Sequence, residues 1–233
     1  MQSENGVDQA KDRVLDAALG HVAFDGWSEV TLKAAIADSG VAVGLARALF
    51  PRGGVDLAVA YHQRGNAAMR AELALRDLGS LRYRDRIALA VRLRLEAISD
   101  PEAVRRGTAM FALPQHAAEG ARLIWGTADA IWVAMGDSST DINWYTKRIT
   151  LSAVYGSTVL YWLGDDSAGH SATWEFLDRR IENVMAIEKL KSGVRENAFV
   201  KAMMAGPLKG LEKLRGLRMP PDFRGDLPGG PPG

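Results

Sequence analysis

An all-α fold of about ten helices is predicted by three features of the chain. Glycine and proline break it into helix-length segments, apolar residues recur within those segments at three- and four-residue spacing, and no run alternates as a strand must. With 233 residues, 47% of them hydrophobic, the chain can bury a core without disulfides. Its lack of cysteine excludes thiolate metal sites, iron–sulfur clusters and thiol nucleophiles.

The elements follow in order. Asp8 to Phe24 carries Val14, Leu15, Ala18, Leu19 and Val22 along one helix face. Thr31 to Ser39 and Val43 to Phe50 are short helices joined through Gly40, with Ile36, Val41, Leu45 and Phe50 as their expected core. After the loop Pro51-Arg52-Gly53-Gly54, Asp56 opens a helix to about Leu78, and the next spans Tyr83 to Ser99. Asp100-Pro101-Glu102 combines a capping carboxylate, proline at the first helical position and an acid in the positive first turn, so a sixth helix starts there and stops before Pro114. Ala117 to Met135, Asp141 to Leu163 and Ser171 to Lys191 complete the central set, with a turn over residues 136–140. The last two have apolar residues on more than one side, which predicts burial against a second copy in a homodimer.

From Lys189 to Arg218 basic residues outnumber acids, and residues 219–233 hold five of the nine prolines. The expected divisions are a helix-turn-helix-like part over 1–55, a helical domain over 56–191, an amphipathic helix over 192–218 and a disordered Pro/Gly-rich tail over 219–233. Leu151 to Gly164, the longest nearly uncharged apolar stretch, is shorter than the roughly 20 residues a bilayer span requires. Met1-Gln-Ser-Glu-Asn lacks the basic and apolar regions of a secretory signal, and its early acids argue against an organellar transit peptide. These features point to an intracellular protein.

Gly26-Trp27, Thr31-Leu32 and Leu49-Phe50 resemble the DNA-binding domain of TetR-type repressors, and the alternative reading is a ligand-responsive transcriptional regulator of that type. Charge argues against DNA. Residues 1–56 place Lys11, Arg13, Lys33, Arg47 and Arg52 against Glu4, Asp8, Asp12, Asp16, Asp25, Glu29, Asp38 and Asp56, whereas phosphate neutralisation supplies most of such affinity. Only Arg47 in the would-be recognition helix reads base edges. The helix-turn-helix is therefore expected to be vestigial, with no nucleic-acid partner.

A more specific likeness lies further along. Leu113-Pro114-Gln115-His116-Ala117, Ile124-Trp125, Asp129-Ala130-Ile131-Trp132, the run Gly136 to Arg148 containing Asn143-Trp144-Tyr145, and Trp174 to Glu182 together resemble the coenzyme Q biosynthesis protein 9 family. The resemblance implies a TetR-like, homodimeric, lipid-binding fold that assists the di-iron hydroxylase acting on demethoxyubiquinone. It implies an isoprenoid quinone precursor or phospholipid as ligand, that hydroxylase and a membrane surface as partners, and no catalysis or cofactor of its own.

Each implication points to particular residues. Leu93, Met110, Leu113, Leu123, Ile131, Met135, Leu151 and Val154 are the expected lipid-binding set, with Gly107, Gly120 and Gly126 leaving space; ordinary core packing is the alternative for each. Asp141, Trp144, Tyr145 and Arg148 are the expected partner-binding set. Trp144, Arg148, Leu151 and Tyr155 form one helical stripe and Arg148 is within reach of the Trp144 ring; inward packing of Trp144 is the alternative. At about 100° per residue, Phe199, Val200, Met203, Met204, Leu208, Leu211, Leu214 and Leu217 gather on one face of the terminal helix, opposite Lys201, Lys209, Glu212 and Lys213, the mainly basic polar side that membrane contact requires. Docking of that helix on its own domain is the alternative.

His21, His62, His116 and His170 have no partner at metal-ligand spacing, and no phosphate loop, dinucleotide fingerprint or nucleophile elbow is present. No carboxylate or histidine is expected inside the apolar space. The location expected from these readings is the cytoplasmic face of a bacterial inner membrane, held peripherally.

Overall fold

The computed structural model describes residues 2–140 and 142–196, with side chains for 6–140 and 142–186. Among the described residues there are nine α-helices and no strand: α1 (Gln2–Asp25), α2 (Glu29–Ser39), α3 (Val43–Leu49), α4 (Gly54–Ala74), α5 (Tyr83–Glu96), α6 (Pro101–Phe111), α7 (Ala117–Ala134), α8 (Ile142–Trp162) and α9 (Ser171–Glu196). The all-α expectation and its order of elements are met. α9 runs beyond the expected stop at Lys191, since Gly193 lowers helix propensity by only about 1 kcal/mol and does not break the helix.

The local reasons can be read at the caps. Ser28 accepts a hydrogen bond from the Thr31 amide at 3.2 Å and starts α2. Gly40, at φ +64°, ends it in the left-handed conformation that turns the chain into α3. Asp100 caps α6 as expected, accepting from the Glu102 amide at 2.9 Å, with Pro101 at the first helical position. Gly54 is required by a close approach, because a Cβ there would stand 2.2 Å from the Trp27 carbonyl oxygen.

Val14, Leu15, Ala18 and Val22 of α1 pack with Leu32, Ala35 and Ile36 of α2 and with Val41, Ala46 and Phe50 around α3. Leu45, an expected member of this core, instead lies exposed. Ala46 and Phe50, four residues apart, take the inward face of α3, which turns Leu45 outward. α4 packs against α1, α2, α5 and α7, and α7 against α8. Described residues up to Asn183 form one unit, and those beyond it belong to another. The three N-terminal helices belong to the core of the first unit, which Leu57, Ala58 and Ala60 of α4 and Ala103 of α6 complete.

Four expectations fall outside the described residues. These are the partner residue Asp141, the membrane-contact set Phe199, Val200, Met203, Met204, Leu208, Leu211, Leu214 and Leu217, the amphipathic helix beyond Glu196, and the tail over 219–233. Among the described residues, no helix is long and apolar enough to cross a membrane.

Candidate functional site

A cavity of about 540 Å³ lies within the first unit, bounded by Trp27 and by residues of α4 to α8. That volume falls in the range of about 300–1,000 Å³ typical of small-molecule sites. Its wall is made largely of small residues, among them Ala58, Ala97, Ala103, Gly107, Gly120 and Ala121, with Ile124, Val159 and Leu160 adding apolar surface. Gly107 and Gly120 are therefore where space was expected, whereas Gly126 is not part of the wall.

Of the eight apolar residues expected to line this space, only Leu123 does so. Leu93, Ile131, Leu151 and Val154 are buried as core, Met110 packs on the N-terminal core, and Met135 caps the end of α7. Leu113 is 46% exposed. The reason is physical: large apolar side chains fill space, so a cavity persists where small ones face one another.

One part of the wall is polar, and sequence reasoning missed it. Arg94, only 3% exposed, donates from Nε to Asn66 Oδ1 at 2.7 Å and from Nη2 to the His62 carbonyl at 3.1 Å. Thr127 donates to the same Asn66 oxygen at 2.9 Å. His62 Nε2 lies 2.8 Å from Thr127 Oγ1 and 3.1 Å from the Leu123 carbonyl. A carbonyl only accepts, so Nε2 carries the proton. Burial, followed by the neighbouring charge of Arg94, pushes the His62 ring down to about 3, which leaves it neutral at neutral pH. The expectation of a cavity without histidine is thus corrected. A signal for Arg94 was present: it continues the buried face Ile87, Ala90 and Val91 at helical spacing, an arginine where an apolar residue is due.

Gly65 makes the arrangement possible, since a Cβ there would stand 2.5 Å from Arg94 Nη1. Tyr155 faces the guanidinium from α8, with the Arg94 Cζ 5.9 Å from its ring centre.

The expected partner surface is rearranged. Arg148 is 1% exposed and is not a surface group. It donates to Asp129 at 2.5 Å, to Asp137 at 3.2 Å and to the Trp144 carbonyl at 3.2 Å, while its guanidinium lies 4.0 Å from the Trp144 ring centre. Lys147 also binds Asp137, at 2.6 Å, and Ser139 at 2.7 Å. Burial alone raises the Asp137 carboxyl, but the bonds from Lys147, Ser139 and Arg148 outweigh it and hold the group down at about 2. The stripe Trp144, Arg148, Leu151 and Tyr155 is the inward face of α8, because Arg148, Leu151 and Tyr155 are all buried. Trp144 and Tyr145 remain half-buried and form an aromatic group with Trp125, with ring centres 4.7 to 6.5 Å apart. Beside Tyr145, at helical spacing on the outer face, Ile142 and Ile149 are exposed.

At the N-terminal end, Arg47, the one base-reading candidate, is paired with Glu29 at 2.5 Å. Among the described residues, no group of histidine and acidic side chains is arranged to hold a metal ion.

The fold is that of a TetR-type helical protein with a mostly apolar cavity. A TetR transcriptional regulator from Nitrosomonas europaea ATCC 19718 superposes with a TM-score of 0.60 at 21% identity, covering 74% of this chain and 95% of that one, which speaks for the fold alone. A COQ9 family model matches residues 117–188. Ubiquinone biosynthesis protein COQ9, mitochondrial, of Drosophila melanogaster is 32% identical over 195 residues, covering 80% of this chain and 58% of the fly protein. The Rattus norvegicus protein of the same name is 32% identical over 224 residues, with 90% and 70% covered, and that of Homo sapiens is 31% identical over 224 residues, with 90% and 69% covered. The chain belongs to the COQ9 family. It spans 58% of the fly protein's length and about seven-tenths of the mammalian ones. These relatives are named as mitochondrial, which overturns the expectation of a bacterial inner-membrane location.

Proposed function

We propose that this protein is a non-catalytic accessory factor of ubiquinone biosynthesis. It takes an isoprenoid quinone precursor into its cavity and presents it to the demethoxyubiquinone hydroxylase at a membrane, and a phospholipid is the other ligand the cavity accepts. The observation that carries this reading is a cavity of about 540 Å³, walled mainly by alanine, glycine and aliphatic residues, in a chain of the COQ9 family. A prenyl or acyl chain has no polar atoms to satisfy, so such a wall accepts it without orphaned hydrogen-bonding groups. The relatives' names support the pathway.

The docking surface for the hydroxylase is the aromatic group of Trp125, Trp144 and Tyr145 with exposed Ile142 and Ile149 beside it, an apolar patch rich in the residue types that anchor interfaces. Arg148 acts there from below, by fixing Trp144. A homodimer forms through α8 and α9, covering exposed residues such as Leu160 and Tyr161. The terminal segment bearing Phe199, Val200, Met203 and Met204 makes the membrane contact.

Detergent-free purification from the native cell tests the whole reading. Mass spectrometry of organic extracts should find a quinone precursor or phospholipid in stoichiometric amount, and the protein fraction should contain the hydroxylase. A preparation carrying neither overturns it.

A further inference from the structure

We propose that the cavity selects amphiphiles whose head is an oxyanion, a carboxylate or a phosphate ester, and that Arg94 is the selecting group. The inference rests on the reading of the cavity as a lipid site and favours, of the two ligands proposed for it, the phospholipid, whose head is a phosphate ester, over the quinone precursor, whose head carries no oxyanion.

Arg94 is a buried guanidinium on the cavity wall whose hydrogen-bond acceptors, Asn66 Oδ1 and the His62 carbonyl, are both neutral. They fix its direction without cancelling its charge, and a buried charge without a counter-charge is unfavourable. Among the described residues no carboxylate lines the cavity, so none of them there competes for the guanidinium or repels an incoming anion. His62 stays neutral, held there by burial and by Arg94 itself, and adds no second charge. Arg64, the other cation of the wall, is already paired with Asp16. The site therefore carries one uncancelled positive charge.

The geometry agrees with the charge. Among the described residues Nη1 has no hydrogen-bond partner, and a guanidinium has five N–H donors of which two are used here. The remaining donors suit the paired oxygens of a carboxylate or phosphate. Gly65 is the cradle: any side chain at that position would displace the guanidinium from its place against α4. The rest of the wall, with Ala103, Gly107, Gly120, Ala121, Ile124 and Val159, gives an uncharged apolar track for the chain attached to that head.

Isothermal titration of the full chain below the critical micelle concentrations tests this with three single-chain probes: oleate, oleoyl lysophosphatidate and methyl oleate. Wild-type protein should bind the two anions at least about tenfold tighter than the ester. The tighter of the two anions distinguishes a fatty-acid source from a phospholipid source. Arg94→Met should erase the preference and leave ester binding within about twofold, while Arg94→Lys should retain part of it, because charge survives without the fork. Equal binding of all three probes by wild-type protein overturns the head-group proposal and leaves the lipid cavity standing. Binding of none of them overturns both. The wild-type comparison decides the matter even where a variant does not fold.

Discussion

The molecule buries two arginines in opposite ways. Arg148 is closed in on every side, with carboxylates of Asp129 and Asp137, a backbone carbonyl and the Trp144 ring all within contact. Arg94 has only an amide oxygen and a carbonyl as acceptors, and it lines the cavity. The same side chain thus performs two tasks. With its charge cancelled, it joins α7, the turn after it and α8 into one piece. With its charge left open to the cavity wall, it serves as a receptor for a ligand's head.

The contrast yields three measurements. The largest effect should come from Arg148→Met, which leaves Asp129 without its cation and Asp137 with Lys147 alone. Chemical denaturation should show a loss of about 3–5 kcal/mol, the usual consequence of removing one partner from a buried ion pair. A loss below about 1 kcal/mol would erase the distinction between the arginines. A smaller effect concerns acid. Asp137 is held at about 2 against an ordinary 3.8, so its contribution to stability is complete above about pH 4 and is lost as pH falls through about 2. Asp137→Asn should flatten that stretch of the acid-unfolding profile, and an unchanged profile would show that other carboxylates dominate it. The smallest effect should be that of Arg94→Met on lipid-free protein, a change of less than about 1 kcal/mol, because two lost hydrogen bonds are offset by removal of an uncancelled charge. If its melting temperature drops as far as that of Arg148→Met, Arg94 is a structural group.

Local pattern made most of the fold legible. Asp100-Pro101-Glu102 marks its helix to the residue, and Ser39-Gly40-Val41 marks the turn between α2 and α3, because caps and left-handed turns are written in adjacent residues. The site was legible only as an expectation that space exists. Leu93, Ile131, Leu151 and Val154 point to that space by being large and apolar, and for the same reason they occupy the core. Cavity walls are built from residues that decline to fill volume, and alanine or glycine carries little directional signal in a helix. Local logic also sets Arg148 on the surface. Its carboxylates come from Asp129 and Asp137, on other segments, and no spacing rule within α8 points to them. The pairing of Arg148 with Trp144 was readable, since those two residues are four apart.

Trp27 follows the turn at Gly26, before α2. Its indole donates to the Ala103 carbonyl at 2.8 Å, its ring lies 5.6 Å from that of Tyr61, and one side of it faces the cavity. The residue thus ties the start of α2 to α6 and serves as masonry, a stone in the wall of the chamber. A shortened protein beginning after residue 53 would consequently lose one wall of that chamber together with the packing that backs Leu57, Ala58, Ala60 and Ala103.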